Sequence, residues 1–129
     1  MERVTGIGGV FFRARDPEAL SAWYDTYLGI PRTPTSYDSP VWLQEPGPTI
    51  FAPMPDSEMF RPGAQLFVNF RVNDLDAMVR QLQGAGVAVE VDAETYPNGR
   101  FAALEDPEGN QIQLWQPTTP DADRTREHD

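Results

Sequence analysis

The chain has 129 residues, enough for one domain with a sizeable core, and carries a formal net charge of -10. This acidity argues against nucleic acids and anionic membrane surfaces as partners, since phosphate groups attract a basic face. The chain has no cysteine and no lysine, and its only histidine is His128. Disulfides, thiolate or Schiff-base chemistry and a histidine base in the body of the fold are therefore excluded.

The N-terminus, Met1-Glu-Arg-Val-Thr, lacks the charged and then apolar pattern of a secretory signal. No apolar run approaches the roughly 18 residues that a membrane-spanning helix needs. We therefore expect a cytoplasmic protein without a membrane partner.

The chain begins with an apolar segment, residues 5–14, which predicts a buried strand. Asp16 can then cap a helix, and Pro17 is favoured at its first position. Apolar residues recur along this helix at the spacing of one face, and Gly29 is a stop signal.

A proline-rich segment follows the first predicted helix. It contains two short apolar runs, residues 41–43 and 49–52, that predict strands. Gly47 lies in the proline-containing turn between them. Residues 54–64 carry further prolines and are interpreted as a linker.

The same order of elements then recurs. Residues 65–72 predict a strand, Asp74 caps a second helix, and glycines at 84 and 86 end it. Residues 87–91 predict another strand. The series Asp106-Pro107-Glu108-Gly109-Asn110 predicts a turn, because Pro presets φ while Gly and Asn tolerate left-handed backbone. Its flanks predict a hairpin.

This recurrence indicates an internal duplication. We predict an α+β fold with two tandem β-α-β-β-β modules that form a curved, mostly antiparallel eight-stranded sheet around a cleft. The predicted domain spans residues 1–117, with module one at 4–53, the linker at 54–64 and module two at 65–117. Residues 118–129 are polar and are predicted to form a disordered tail.

The duplicated pattern resembles the vicinal oxygen chelate superfamily, which includes glyoxalase I, bleomycin-resistance proteins and extradiol dioxygenases. The resemblance covers about residues 4–117. Its most specific parts are Tyr24 with Leu28-Gly29, Tyr96, Gly99-Arg100-Phe101, the turn at 106–110, and Leu114-Trp115.

Enzymes of this superfamily hold a divalent metal in the cleft with four side chains, two from each module. The resemblance places those positions at Gly9, Phe51, Phe67 and Gln113. Divalent ions need several oxygen or nitrogen donors within about 2.0 to 2.6 Å, and only Gln113 offers one. We therefore expect no metal, no other cofactor and no catalytic residue of the superfamily type.

Alternation along the strands indicates which side chains share a face with those four positions. This face is rich in aromatic, amide and arginine side chains, a composition typical of a small-molecule pocket. The opposite face is apolar, as expected under helices. The predicted ligand-binding residues are Phe11, Arg13, Trp42, Phe51, Phe67, Asn69, Arg71, Gln111, Gln113 and Trp115.

We therefore expect a metal-free homodimer that binds an aromatic or amphipathic small molecule. A first alternative is a metal-dependent lyase, isomerase or dioxygenase with displaced carboxylate ligands such as Glu45, Glu90 or Glu105. A second is a non-catalytic dimerising domain whose cleft is filled by Phe51 and Phe67. The acidic residues of the turn at 106–110 are interpreted as solvent-exposed.

Overall fold

The computed structural model describes residues 1–118 and shows a mixed α+β fold with two helices and one open sheet of four strands. Neither helix is long and apolar enough to cross a membrane. His128 and the predicted tail beyond Thr118 lie outside the described residues. The elements are α1 (Pro17–Leu28), β1 (Val68–Arg71), α2 (Leu75–Gly84), β2 (Glu90–Val91), β3 (Gly99–Glu105) and β4 (Gln111–Pro117).

The sheet has the strand order β1-β4-β3-β2. β1 pairs with β4 in parallel, whereas β2 with β3 and β3 with β4 pair antiparallel. The β3–β4 pair confirms the hairpin predicted around the turn at 106–110. In its register, Phe101 lies opposite Trp115 and Leu104 opposite Ile112.

Both helices begin and end where the sequence predicts. Asp16 caps α1 by accepting a hydrogen bond from the Ala19 amide at 3.1 Å, and Asp74 caps α2 in the same way. α1 ends at Gly29, whose φ of 71° is the left-handed conformation that closes a helix at low cost only for glycine. These ends are local features, and neighbouring residues are sufficient to specify them.

The core lies between α2 and one face of the sheet. Ile112 and Leu114 are each 1% exposed on that face, which confirms for β4 the prediction that this set of alternate residues packs under helices. Full burial of one such side chain stabilises the fold by about 1.5–3 kcal/mol. The apolar stripe of α1 packs against the edge of this core. Buried residues of the core are Leu75, Val79, Leu82, Ala102, Leu104, Ile112 and Leu114.

The turn at 106–110 is held by a buried carboxylate, and the interpretation of its acidic residues as solvent-exposed is wrong for Asp106. Asp106 is 4% exposed. Its oxygens accept hydrogen bonds from the amides of Glu108 and Asn110 at 2.8 and 3.0 Å and from the Asn110 side chain at 2.7 Å. Because a buried charge without partners is costly, these donors are what makes its burial tolerable.

The same turn connects the two halves of the chain. The Tyr24 hydroxyl on α1 donates to Asp106 at 2.7 Å. The Glu108 carboxylate accepts from the backbone amides of Arg15 and Asp16 at 2.6 and 3.0 Å, just before α1 begins. The hairpin therefore fixes the position of α1 with three hydrogen bonds that span more than 80 residues of sequence.

The structure does not show the eight-stranded arrangement. Residues 5–14, 41–43 and 49–52 lie outside helices and strands. Their large apolar side chains are exposed, Phe11 by 94% and Phe51 by 83%. A strand forms only where its backbone groups pair with a neighbouring strand, and an apolar pattern in sequence does not supply that neighbour.

Replacing Tyr24 by Phe removes the only hydrogen bond from α1 to the buried Asp106 carboxylate among residues 1–118. We expect the free energy of unfolding to fall by about 1–3 kcal/mol, since one buried acceptor loses a partner. Urea denaturation followed by circular dichroism measures this. Tyr27→Phe is the matched control, since Tyr27 is also half-buried on α1 and its hydroxyl has no hydrogen-bond partner within the described region. Equal losses in both variants would contradict the role of Asp106.

The effect of Tyr24→Phe also depends on pH. Burial, the hydrogen bond to Asp106 and the charge of that carboxylate raise the pKa of the Tyr24 phenol above its ordinary value of 10.0. Below pH 10 the phenol is protonated in both folded and unfolded chains, so its stabilising contribution is complete. Above pH 10 only the unfolded chain loses this proton, and the contribution falls. The stability difference between wild type and Tyr24→Phe should therefore narrow as pH rises above 10.

Candidate functional site

The candidate site is the face of the sheet that the helices do not cover, called here the open face. Residues paired in neighbouring strands point to the same side of a sheet. The register places Arg71, Trp115 and Phe101 in one row across β1, β4 and β3. The adjacent row contains Asn69 and Gln113. Four of the ten predicted ligand-binding residues therefore lie side by side on this face.

Aromatic rings form one part of the open face. Phe101 and Trp115 are parallel, with an interplanar angle of 3° and ring centroids 6.2 Å apart. Tyr96 meets Phe101 edge to face at 5.8 Å. Trp115 is 6% exposed and its indole donates to the Asn98 carbonyl at 2.8 Å, so it supports the surface from below. Phe101 is half-buried and offers the accessible ring.

Tyr96 is held over this aromatic pair by the segment before β3. Its hydroxyl donates to Asp92 at 2.8 Å, and its backbone pairs with that of Gly99 in both directions. The hydrogen bond to Asp92 is the main cause that raises the pKa of the Tyr96 phenol above its usual range. Tyr96 therefore keeps its proton at neutral pH and remains a neutral aromatic side chain at the rim.

Two amides supply polar groups next to the aromatic row. The Asn69 side-chain amide donates to the Gln113 side-chain oxygen at 2.7 Å. Within residues 1–118 the Asn69 oxygen and the Gln113 NH₂ group make no other hydrogen bond. The pair can thus offer an acceptor and donors to a ligand in fixed positions, because each amide orients the other.

Arg71 connects the open face to the proline-containing loop at residues 45–49. Its Nη1 donates to the Pro48 carbonyl at 2.7 Å and to the Thr49 hydroxyl at 2.9 Å. Its Nη2 donates to the Glu45 carbonyl at 2.8 Å. A Cβ on Gly47 would lie 2.8 Å from the Arg71 Nε, so a larger residue there would force the Arg71 side chain to shift.

The other end of the open face is bounded by residues 59–61. Gln111 accepts from the Arg61 amide at 3.0 Å and donates to the Met59 carbonyl at 2.7 Å. Phe67 packs against Phe60 with ring centroids 5.4 Å apart. The predicted residues Gln111 and Phe67 therefore have partners from the segment interpreted as a linker.

The remaining four predicted residues lie in the first part of the chain. Phe11 and Phe51 are almost fully exposed, and Trp42 is 45% exposed. Arg13 lines a surface depression of about 280 Å³ beside the turn at 106–110, together with Glu108 and Asn110. The structure does not bring these four residues into one group with Asn69, Gln113 and Trp115.

A neighbouring depression of about 320 Å³ lies between the start of α1 and the same turn. It is lined by Trp23, Leu20 and Pro107, with Arg15 and Glu108 at its edge. The Glu108 carboxylate there is already engaged by the Arg15 and Asp16 amides. This depression is therefore part of the junction between α1 and the hairpin, and it lies apart from the open face.

The residues at the four superfamily metal positions do not fit a divalent metal. Gly9, Phe51 and Phe67 have no donor side chain, and the Gln113 oxygen already accepts from Asn69. In the part of the chain that the structure describes, no three His, Cys, Asp or Glu side chains come together as a possible metal group. Glu105, considered above as a displaced ligand, is paired with Arg61.

Phe101 and Tyr96 are part of the sequence motifs of the superfamily but are not among the predicted ligand-binding residues. The sequence contained the information needed to place Phe101, because the hairpin register that follows from the turn at 106–110 puts it opposite Trp115. Tyr96 lies in an irregular segment and is held by Asp92 and Gly99. No periodicity in the sequence marks that contact.

Comparison with known proteins identifies one matching family model, a glyoxalase-like domain, over residues 9–115. An uncharacterised protein of Pseudomonas aeruginosa is 30% identical over 111 residues, which cover 77% of this chain and 79% of that protein.

Two solved structures from Streptomyces sp. CB03234 are also similar. One is TnmS3, an antibiotic binding protein, with 39% identity over 48% of this chain and a TM-score of 0.39. The other is a glyoxalase/bleomycin resistance protein, with 38% identity over 46% of this chain and a TM-score of 0.37. The chain spans about half the length of each, 50% and 52%.

Replacing Trp115 by Phe tests whether the indole supports the open face. The change removes the hydrogen bond to Asn98 and some buried volume, and we expect a loss of about 1–3 kcal/mol in unfolding free energy. Hydrogen exchange should speed up at the Tyr96 and Gly99 amides, which hold the rim segment. Tyr37→Phe, at a fully exposed aromatic residue, is the control and should stay within about 0.5 kcal/mol of wild type. Unchanged exchange at Tyr96 and Gly99 would show that the rim does not depend on Trp115.

Proposed function

The chain belongs to the glyoxalase-like domain family of the vicinal oxygen chelate superfamily, and we propose that it binds an aromatic or amphipathic small molecule without a metal. Family membership fixes the scaffold and leaves the chemistry open, because folds of this kind host many activities. The proposal therefore rests on the side chains of the open face.

The observation that carries the proposal is the Asn69–Gln113 pair in the row next to that of Trp115 and Phe101. Small-molecule sites combine apolar and aromatic surface with a few fixed polar groups. Here the Phe101 ring supplies the apolar surface and the two amides, hydrogen-bonded to one another at 2.7 Å, supply the polar groups. A planar ligand could contact the Phe101 ring in a stacked or edge-to-face arrangement while its polar atoms form hydrogen bonds with the amides.

The absence of donors at Gly9, Phe51 and Phe67 supports a metal-free mode of binding. In this mode the ligand is held by stacking, hydrogen bonds and charge. The protein then needs no group that activates water or polarises a carbonyl. We accordingly propose a binding protein and assign no catalytic residue.

We further propose that the complete protein is a homodimer in which the predicted strands of module one join an eight-stranded sheet. The support is the exposed apolar surface of the first half. Leu43 is 86% exposed, Ile50 71% and Val41 66%, in addition to Phe11 and Phe51. Exposure of this many large apolar side chains favours an interaction surface. Its burial would also bring Phe11, Trp42 and Phe51 towards a shared cleft.

A screen of planar aromatic compounds, neutral and charged, by thermal shift and titration calorimetry tests the binding proposal. Gln113→Ala removes one amide of the open face and should weaken a bound compound by about two- to tenfold, the equivalent of one hydrogen bond. Gln83→Ala, the same change on the exposed side of α2, should leave affinity unchanged. Absence of any bound compound, or equal effects of the two variants, would contradict the proposed site.

Sedimentation equilibrium tests the assembly. We expect the protein at micromolar concentration to have twice the mass of one chain. Hydrogen exchange should show protected amides in residues 5–14 and 49–52, since strands in a completed sheet have paired backbone groups. A monomer with unprotected amides in both segments would refute the eight-stranded homodimer.

A further inference from the structure

Arg71 is a half-buried cation that no carboxylate accompanies. The ion pairs of the described residues join Arg32 to Asp25, Arg61 to Glu105 and Arg100 to Asp76. Arg71 takes part in none of them, although the chain carries 20 acidic residues. Its position in the row with Trp115 and Phe101 puts this unpaired charge on the open face.

The hydrogen bonds of Arg71 go to neutral oxygens alone. Three of its five N–H groups donate to the Glu45 and Pro48 carbonyls and the Thr49 hydroxyl. The Nε–H and one Nη2–H remain without a partner in residues 1–118. Two donors on neighbouring nitrogens match the two oxygens of a carboxylate, and such charge-assisted pairs are roughly twice as strong as neutral hydrogen bonds.

Gly47 lies against the Arg71 guanidinium near Nε. A Cβ there would lie 2.8 Å from Nε and 3.1 Å from Cζ, so a larger residue would crowd the guanidinium and displace it. Loop 45–49 thus holds the guanidinium through the Glu45 and Pro48 carbonyls and the Thr49 hydroxyl, and none of these groups uses the Nε–H. The arrangement fixes the orientation of the charge without neutralising it.

From these observations we infer that the ligand of the open face is a planar anion, whose carboxylate-type group binds Arg71 while its ring lies against Phe101. This inference rests on the proposed function and specifies its ligand class. The amides of Asn69 and Gln113 lie in the next row and would bind other polar atoms of the same molecule. The net charge of -10 repels anions from the protein as a whole, so selectivity for an anion requires a local cation.

Two probes with the same ring system test the charge requirement: 2-naphthoate, which is anionic at pH 7, and neutral 2-naphthamide. Calorimetry on the full chain should give at least tenfold tighter binding of naphthoate. Arg71→Gln should weaken naphthoate binding about tenfold or more and change naphthamide binding less than about twofold, since only the anion uses the charge. Arg71→Lys, which keeps the charge but loses the planar fork, should weaken naphthoate binding to an intermediate degree.

Arg100→Gln is the matched control. It removes the same charge from β3, but that side chain pairs with Asp76 on α2. Its naphthoate affinity should equal that of wild type. Nuclear magnetic resonance of the Arg71 Nε–H in the wild-type protein gives a readout without mutation, and naphthoate should shift this signal whereas naphthamide should not.

The outcomes separate this inference from the proposed function. Equal affinity for both probes, or an unshifted Arg71 Nε–H signal with bound naphthoate, overturns the anionic ligand and leaves a binding protein for neutral molecules. Failure of both probes and of every compound in the wider screen overturns the proposed function, and the inference with it.

Discussion

The burial of one carboxylate, that of Asp106, is the constraint on which this fold depends. A charged group at 4% exposure is stable only when its oxygens are satisfied, and here the donors are the turn itself and Tyr24. The turn must therefore close correctly and α1 must be present at the same time. Because the next acidic side chain, Glu108, binds the amides before α1, helix and hairpin are positioned by a single five-residue segment.

Features specified by neighbouring residues could be predicted from the sequence. The caps at Asp16 and Asp74, the end of α1 at Gly29, the hairpin and the buried side chains Ile112 and Leu114 all follow from short-range patterns. The two faces of the sheet could be told apart for the same reason, since alternation needs only the strand and its parity. Asn69, Gln113 and Trp115 were therefore assigned correctly to one face.

What could not be predicted depends on side chains that reach distant backbone. Arg71 binds carbonyls more than 20 residues away, and Gln111 binds residues 59–61 about 50 residues away. A long flexible side chain can reach many backbone carbonyls, and the sequence does not indicate which of them lies close to it in the folded chain. The role of Asp106 was missed because an acidic turn with Pro and Gly is usually solvated. The strands predicted in the first half do not form in this structure, because a strand needs a pairing partner and no local pattern identifies one.

The contrast between the two faces of the sheet explains how such a scaffold can change ligand without changing fold. The helix-facing side is close-packed, so a substitution at the buried Leu114 would create either a cavity or a steric clash. On the open face, the side chains of Trp115, Asn69 and Gln113 are positioned by single hydrogen bonds, and those of Asn69 and Gln113 are packed less closely. Positions that elsewhere in the superfamily provide metal ligands can here be Phe67 or Gly9, because neither residue belongs to the core cluster or to the Asp106 turn. Function can therefore diverge on one face while the opposite face keeps the architecture. In this chain the open face carries the positive charge of Arg71, a protein side chain, where a metal site would carry the charge of a bound ion.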